Sequence, residues 1–226
     1  MNLEKEEVIK IIATEDGSSS LYLKNLDETY HSVHGAIQES NHVFIEAGLK
    51  FWLSKNTNTA TVQILEFGFG TGLNAMLTSL NINGGIKMAY HGLEKYPLSK
   101  KICSSLNYGE VLHNLELFIK IHDSKWGKEE KITPDFKLKK IEVDFRNYST
   151  NTHYDVIYFD AFSPSKQPKL WTREIFEECY LLLNKGGVLV TYSAKGQLKR
   201  DLKSVGFMVE SIPGPPGKFE ITRATK

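Results

Sequence analysis

Four acidic residues stand at or beside the ends of apolar runs in this chain of 226 residues: Glu66 in ILEFGFGTG, Glu94 in HGLE, Asp144 in VDF and Asp160 in YFDAFSP. Carboxylates gathered along one rim can accept hydrogen bonds from hydroxyls and amines, pair with cations and take up protons. Each could equally cap the turn or helix that follows it. Next to Glu66, the glycines Gly68, Gly70 and Gly72 recur at every second position, and glycine lets backbone turn sharply and close on a ligand. A dinucleotide fingerprint needs G-x-G-x-x-G, but position 73 is Leu. A carboxylate at the mouth of the loop would repel a pyrophosphate and suits the ammonium of an amino-acid ligand. The pattern therefore reads as a loop for S-adenosyl-L-methionine rather than NAD. Glu66, Gly68, Phe69, Gly70, Gly72 and Asn74 are the candidates to hold it.

The other acids extend the same reading. Glu94 falls about 20 residues after the loop, where ribose hydroxyls are bound in doubly wound folds. Asp144 can accept from an adenine amine, with Phe145 offering an apolar face beside it. Asp160 is the catalytic candidate, followed by Phe162, Ser163, Lys166 and Trp171, which could flank a flat substrate. An aspartate capping a turn above core aromatics is the competing reading of the same residues.

Elements must bring these positions to one edge. After residue 60, apolar runs alternate with helical stretches, which predicts an α/β fold with a seven-stranded, doubly wound parallel sheet. Strands are expected at Thr61–Phe67, Ile86–Glu94, Leu138–Asp144, Tyr154–Asp160, Val188–Ser193, Phe207–Ser211 and Lys218–Ala224. A helix over Thr172–Asn184 should start at a Thr172 N-cap and stop at Gly186-Gly187. Before residue 59, Val8–Ile12 and Leu21–Leu23 read as a hairpin around Asp16-Gly17, and Gly35–Trp52 as an apolar helix. The expected division is a hairpin-and-helix cap over 1–58 and a sheet domain over 59–226.

Hydrophobic residues make up 41% and charged residues 24%, enough apolar surface for a core and too much for a disordered chain. The 28 basic and 27 acidic residues leave a formal charge of +1, so no global field draws the protein to nucleic acid or an anionic membrane. Such a partner needs a local patch. Seven basic residues against three acidic lie between Lys195 and Lys226, and Lys195, Lys199 and Lys203 repeat every fourth position. With Arg200 they form a stripe that could track RNA phosphates, or an ordinary solvated helix face. Lys139 and Lys140 are weaker candidates. Two cysteines and an acidic opening segment lead us to expect a reduced, cytoplasmic protein, and no apolar run is long enough to span a bilayer. His31, His34 and His42 lack zinc-site spacing, so no metal is expected.

The strings EFGFGTGLN, LEKYPL, FDAFSPSKQPKLW, LNKGGVLVTYSAKG and GPPGKFEITRA, with YHSVHGAIQESNHVFIEAGL upstream, resemble the methyltransferase half of the bacterial MnmC family. That resemblance implies a class I S-adenosyl-L-methionine-dependent methyltransferase of Rossmann-like fold. It would methylate the aminomethyl nitrogen of wobble 5-aminomethyl(-2-thio)uridine in tRNA. The upstream string leads us to expect Tyr30, His34 and Glu39 at the lip of the site, with core packing of a capping helix as the competing reading. The chain closes at Lys226 without a flavin oxidase half, so the resemblance is to stand-alone members. A separate oxidase or upstream tRNA-modifying enzyme would then supply the aminomethyl substrate. A small-molecule amine methyltransferase and an aminopropyltransferase-like enzyme share the expected features, and a non-catalytic nucleotide-binding protein would share the glycine loop.

Overall fold

The computed structural model describes residues 9–82 and 85–226; Val8, at the start of the first expected strand, lies outside them. Strands β1 (Ile9–Ala13), β2 (Ser19–Leu23) and β3 (Glu28–Thr29) form a small antiparallel sheet, with the expected hairpin between β1 and β2. A continuous helical rod follows: α1 (Ala36–Ser40), a π-helical stretch over Asn41–Lys50, and α2 (Phe51–Lys55). Val43, Phe44, Ile45, Leu49 and Trp52 are buried in one apolar cluster with Val62 and Ile64 of the main sheet. Gly48 marks the contact, because a Cβ there would lie 2.8 Å from Val190 Cγ2.

The main sheet contains β4 (Thr61–Phe67), β5 (Lys87–Glu94), β6 (Glu129–Thr133), β7 (Phe136–Glu142), β8 (Tyr154–Phe159), β9 (Leu183–Thr191), β10 (Met208–Pro213) and β11 (Glu220–Thr225). Their order is β10-β11-β9-β8-β4-β5-β7-β6. The five central strands are parallel, whereas β6, β10 and β11 join through antiparallel pairings. A sheet of seven parallel strands was expected; among the described residues the sheet has eight strands, five of them parallel. The additional β6 reads EEKIT, an edge strand whose charges hide the apolar alternation that marks a strand. A second difference lies after α7 (Arg173–Leu182). The chain turns extended at Leu183, so Gly186, with φ +77°, sits inside β9 instead of closing the helix.

Helices α3 (Leu73–Leu80), α4 (Lys100–Cys103), α5 (Tyr108–Val111) and α6 (Leu115–Asp123) connect the early strands, and α8 (Gly196–Val205) joins β9 to β10. Strand parity divides the core between the two faces. Val62, Ile64, Tyr90 and Tyr158 face the rod and α3; Leu65, Phe67, Ile157 and Phe159 face α7 and α8. Having passed from β4 outward to β5 and β7, the chain returns to place β8 on the other side of β4. The ends of β4 and β8 therefore flank the switch point where doubly wound sheets open a crevice.

Two glycines allow that crevice to close around its loop. Gly68 has φ +94°, and a Cβ on it would meet the Asp160 carbonyl oxygen at 2.5 Å. Gly92 leaves room for the Phe69 ring, whose Cδ2 would clash with an added methyl. Gly92→Ala should overpack this contact and lower the Tm by roughly 3–10 °C. Adding Phe69→Leu should recover part of the loss; additive losses in thermal unfolding would show that the two positions do not meet.

Candidate functional site

The ends of β4, β5, β7 and β8 border a cavity of about 760 Å³, within the size range of small-molecule sites. Gly68, Phe69, Gly70, Thr71 and Asn74 form one wall. Glu94, Asp144 and Phe145 form the next, and Asp160, Phe162 and Lys166 continue it. Tyr30 and Glu39 close the cavity from the N-terminal segment. The sheet register explains the convergence: Phe67 pairs with Leu93 and Phe159, and Glu94 with Glu142, so the strands end level.

Asp160 follows β8, with its backbone N–H donating to Phe67 O at 2.9 Å. Its Oδ2 accepts from Asn74 Nδ2 at 2.8 Å, and the same amide nitrogen donates to Glu66 Oε1 at 2.9 Å. Burial, reinforced by the Glu39 charge, pushes the Asp160 carboxyl up to about 7. Glu94 accepts from the N–H groups of Gly70 at 3.0 Å and Tyr96 at 2.9 Å; burial raises its pKa and these bonds oppose the rise.

Several expected positions require correction. Glu66 is fully buried beneath Asn74 rather than at the loop mouth, because strand parity points it to the α3 face with Ile64. Burial and the Asp160 charge push its pKa well above the ordinary carboxylate value. Gly72 is the left-handed N-cap of α3 and does not line the cavity. Trp171 is a core residue packed on Phe159 at 4.9 Å, with its Nε1 donating to Phe162 O at 2.7 Å. It holds the loop that presents Phe162 without reaching the cavity. Ser163 does not line the cavity either; its hydroxyl donates to Glu28 Oε2, a residue of the wall, at 2.8 Å. His34 turns outward to Glu15 at 3.1 Å and packs beside Gly217.

Asp144 reaches the wall, but its two oxygens already accept from the backbone N–H, Nε and Nη2 of Arg146 and from Lys95 Nζ. These donors, Arg146 first, hold its carboxyl well below the usual range. They occupy about as many acceptor positions as a carboxylate has, so a ligand amine would have to displace one. The basic stripe divides as well. Lys195 and Arg200 are exposed away from the cavity, and Lys199 is bonded to Ser211 and Glu220 on the neighbouring strands. Lys140 is buried, donating to the carbonyls of Ile121 and His122, both at 2.9 Å.

The structure adds residues that the sequence reading missed. His31 is buried with Nε2 2.8 Å from Thr71 Oγ1, and burial pulls its pKa down to about 4, leaving the ring neutral. Lys218 lines the cavity, paired with Glu39, with its Nζ 4.1 Å from the Tyr192 ring centroid. Tyr192 in turn donates to Ala161 O at 2.8 Å, bracing the backbone beside Asp160. Tyr192 lies one residue beyond β9, at the same rim as the acids; that position was the available signal.

This lining fits the donor expected from the loop. Gly68 and Gly70 make a cradle that Cβ atoms would fill, against Asp160 O and the Tyr30 ring respectively. Asn74 Oδ1 is buried without a partner, and Glu94 presents a carboxylate beside the apolar Phe145. Acceptors and apolar surface are what a cationic, hydroxyl-bearing ligand requires. Among the described residues no group of His, Cys, Asp and Glu is arranged to hold a metal ion.

The raised Asp160 pKa sets a sign for stability. An unfolded aspartate titrates near 3.9, so the fold takes up a proton between about pH 4 and pH 7. The associated stability is complete below pH 4 and lost as pH rises through about 7. Asp160→Asn should therefore match the native chain at pH 4 and exceed it at pH 8 by about 2–3 kcal/mol, cavity water screening the rest. Urea unfolding at the two pH values checks this, and an equal difference at both would contradict it.

A family model described as S-adenosyl-L-methionine-dependent methyltransferase matches residues 87–226. The bifunctional protein MnmC of tRNA 5-methylaminomethyl-2-thiouridine biosynthesis from Pseudoalteromonas atlantica is 26% identical over 224 residues, covering 87% of this chain and 31% of that protein. Its counterpart from Leptospira interrogans is 26% identical over 218 residues, covering 88% and 32%. The chain thus spans about a third of the length of these curated relatives. The crystal structure of MnmC2 from Aquifex aeolicus superposes with a TM-score of 0.76 and 26% identity, covering 99% of this chain and 72% of that one. Spermidine synthase from Thermotoga maritima shares the fold, with a TM-score of 0.56 at 16% identity over 96% of this chain and 68% of its own. Since the family match takes in more than half of the residues and ends the sheet whose rim carries the glycine cradle, this protein belongs to the S-adenosyl-L-methionine-dependent methyltransferases.

Proposed function

We propose that this methyltransferase methylates the aminomethyl nitrogen of wobble 5-aminomethyluridine, with or without the 2-thio group, in tRNA. The observation that carries the reading is Asp160, which opens into the cavity at the switch point, beside the glycine cradle and opposite the aromatic edges of Tyr30 and Phe162. The relatives named for tRNA 5-methylaminomethyl-2-thiouridine biosynthesis support the same substrate. In this reading the enzyme works in the cytoplasm, and a separate oxidase or upstream modifying enzyme supplies the aminomethyl group. Among the described residues no helix is long and apolar enough to cross a membrane.

When bound, S-adenosyl-L-methionine supplies an electrophilic methyl group on a sulfonium. The chain has to orient that donor and free the acceptor nitrogen of its proton. Gly68, Phe69, Gly70 and Asn74 hold the amino-acid end in this reading, Glu94 takes the ribose hydroxyls, and Phe145 covers the adenine beside Asp144. Tyr30 and Phe162, whose ring centroids are 4.9 Å apart, narrow the acceptor side and exclude water.

An alkylamine of lysine-like pKa is almost wholly protonated at pH 7 and has no lone pair to donate. Passing its proton to an ordinary aspartate would be uphill by roughly 9 kcal/mol; at about 7, Asp160 reduces that to roughly 5 kcal/mol. Asp160 therefore accepts the ammonium proton, and its fixed bond from Asn74 keeps the receiving carboxyl in place. The near-neutral formal charge of +1 favours a second reading, methylation of a small amine, which a polyamine panel would reveal.

Activity should fall as pH drops through about 7 and Asp160 becomes protonated. Asp160→Asn should lose about 10²- to 10⁴-fold in single-turnover rate at pH 7 and recover much of it near pH 10, where roughly a quarter of a lysine-like amine is neutral without help. Loss at both pH values would make Asp160 a positioning group alone. In cells lacking the protein, mass spectrometry of wobble nucleosides should find unmethylated aminomethyluridine; an unchanged nucleoside profile would reject the tRNA assignment.

A further inference from the structure

Phe219 is 95% exposed, whereas the other exposed large apolar side chains among the described residues range from 37% to 67%. A ring so fully in water, one residue after Lys218 of the cavity wall, leaves both of its faces free to meet a flat ligand at that rim. The turn that carries it is rigid. Gly214 N–H donates to Phe219 O at 3.1 Å, Lys218 N–H donates to Pro215 O at 2.9 Å, and Pro215-Pro216 restrict the backbone between them. His42 Nε2 lies 2.8 Å from Pro213 O, and His34 packs where a Cβ on Gly217 would stand, so the turn is braced from two sides.

The preceding residue, Lys218, turns inward to Glu39 and the Tyr192 face. That anchor fixes one residue on the cavity wall and leaves its neighbour's ring in solvent. Lys166 and Lys169 line the same cavity, and neither has a carboxylate within ion-pair distance among the described residues. An exposed ring next in sequence to one cavity-wall residue, with cations free of carboxylates on the same wall, suits a single-stranded nucleic acid, in which bases stack on rings and phosphates meet lysines.

We propose that Phe219 is a stacking platform for a base flanking the one being methylated, while Lys166 and Lys169 receive its phosphates. The inference rests on the RNA substrate proposed above. A target nucleotide turned into the cavity loses a stacking partner, and so does its neighbour left at the rim. A ring carried on a braced turn replaces that partner with only its two side-chain torsions to order.

The test uses the full chain with an anticodon stem-loop carrying 5-aminomethyluridine, and the free nucleoside as the acceptor without a flanking base. Phe219→Ala should raise KM for the stem-loop about tenfold to a hundredfold with kcat nearly unchanged. It should leave kcat/KM for the nucleoside and binding of S-adenosyl-L-methionine as they were, and Phe219→Trp should restore the stem-loop KM. An alanine variant within twofold of the native KM for stem-loop overturns the stacking role while leaving the tRNA reading intact. Equal losses on stem-loop and nucleoside overturn it too, by showing that the ring supports Lys218 instead. A native enzyme that methylates the nucleoside or a polyamine but no RNA removes both this inference and the reading beneath it.

Discussion

The amide nitrogen of Asn74 lies between two carboxyls that the sheet would otherwise leave facing each other. It donates 2.9 Å to Glu66 and 2.8 Å to Asp160, so one helix residue joins the ends of β4 and β8 across the switch point. Charging both acids together in that space would be costly, and burial raises the pKa of each. The buried Glu66 has no exit to solvent, whereas Asp160 opens into the cavity. The environment thus separates their roles: Glu66, its pKa raised by burial, holds Asn74 below the loop, and Asp160 is left as the group that can exchange a proton with a ligand.

That arrangement depends on how the loop feeds α3. Gly68, Gly70 and Gly72 all adopt positive φ, so the chain leaves β4, doubles over the sheet edge and enters the helix within five residues. A longer connection would carry Asn74 away from the strand ends. The same compactness places Gly70 N–H on Glu94, tying the loop to the neighbouring strand. Loop, Glu94 and Asp160 therefore share one hydrogen-bonded frame, and a displacement of any member would be transmitted through Asn74 or Glu94.

Much of this was legible because strand ends are. Glu94 and Asp160 terminate apolar runs, and level register in a parallel sheet carries such residues to one rim without further information. What failed depended on direction rather than location. Glu66 occupies the correct strand but the opposite parity from its neighbour Phe67, which sends it under α3. Trp171 and Ser163 lie in an irregular loop with no period to say which side chains turn inward, and the indole went to the core while Phe162 took the cavity. Strand β6 escaped because an edge strand is paired on one side only and can carry Glu129, Glu130 and Lys131 without loss. His31 gave no signal because a single histidine beside an aromatic reads equally well as core.

The basic residues show why charge counts along a sequence are poor maps of a charged surface. Lys199 bonds Glu220, Arg223 bonds Glu210 and Lys218 bonds Glu39, so three of the seven C-terminal cations are paired within the fold, Lys218 with an acid from outside that segment. Lys140 is turned onto two carbonyls at the end of α6, where a cation meets the negative end of a helix, and its burial lowers its pKa to about 8. Pairing of this kind fixes elements: Lys218 pins the β10–β11 turn to the N-terminal segment, and Lys199 pins α8 to β11. The cavity cations without a carboxylate among the described residues, Lys166 and Lys169, follow the Asp160 strand instead. An anionic substrate would therefore be guided by a small field at the mouth of the reaction site, with the rest of a nearly neutral surface contributing little.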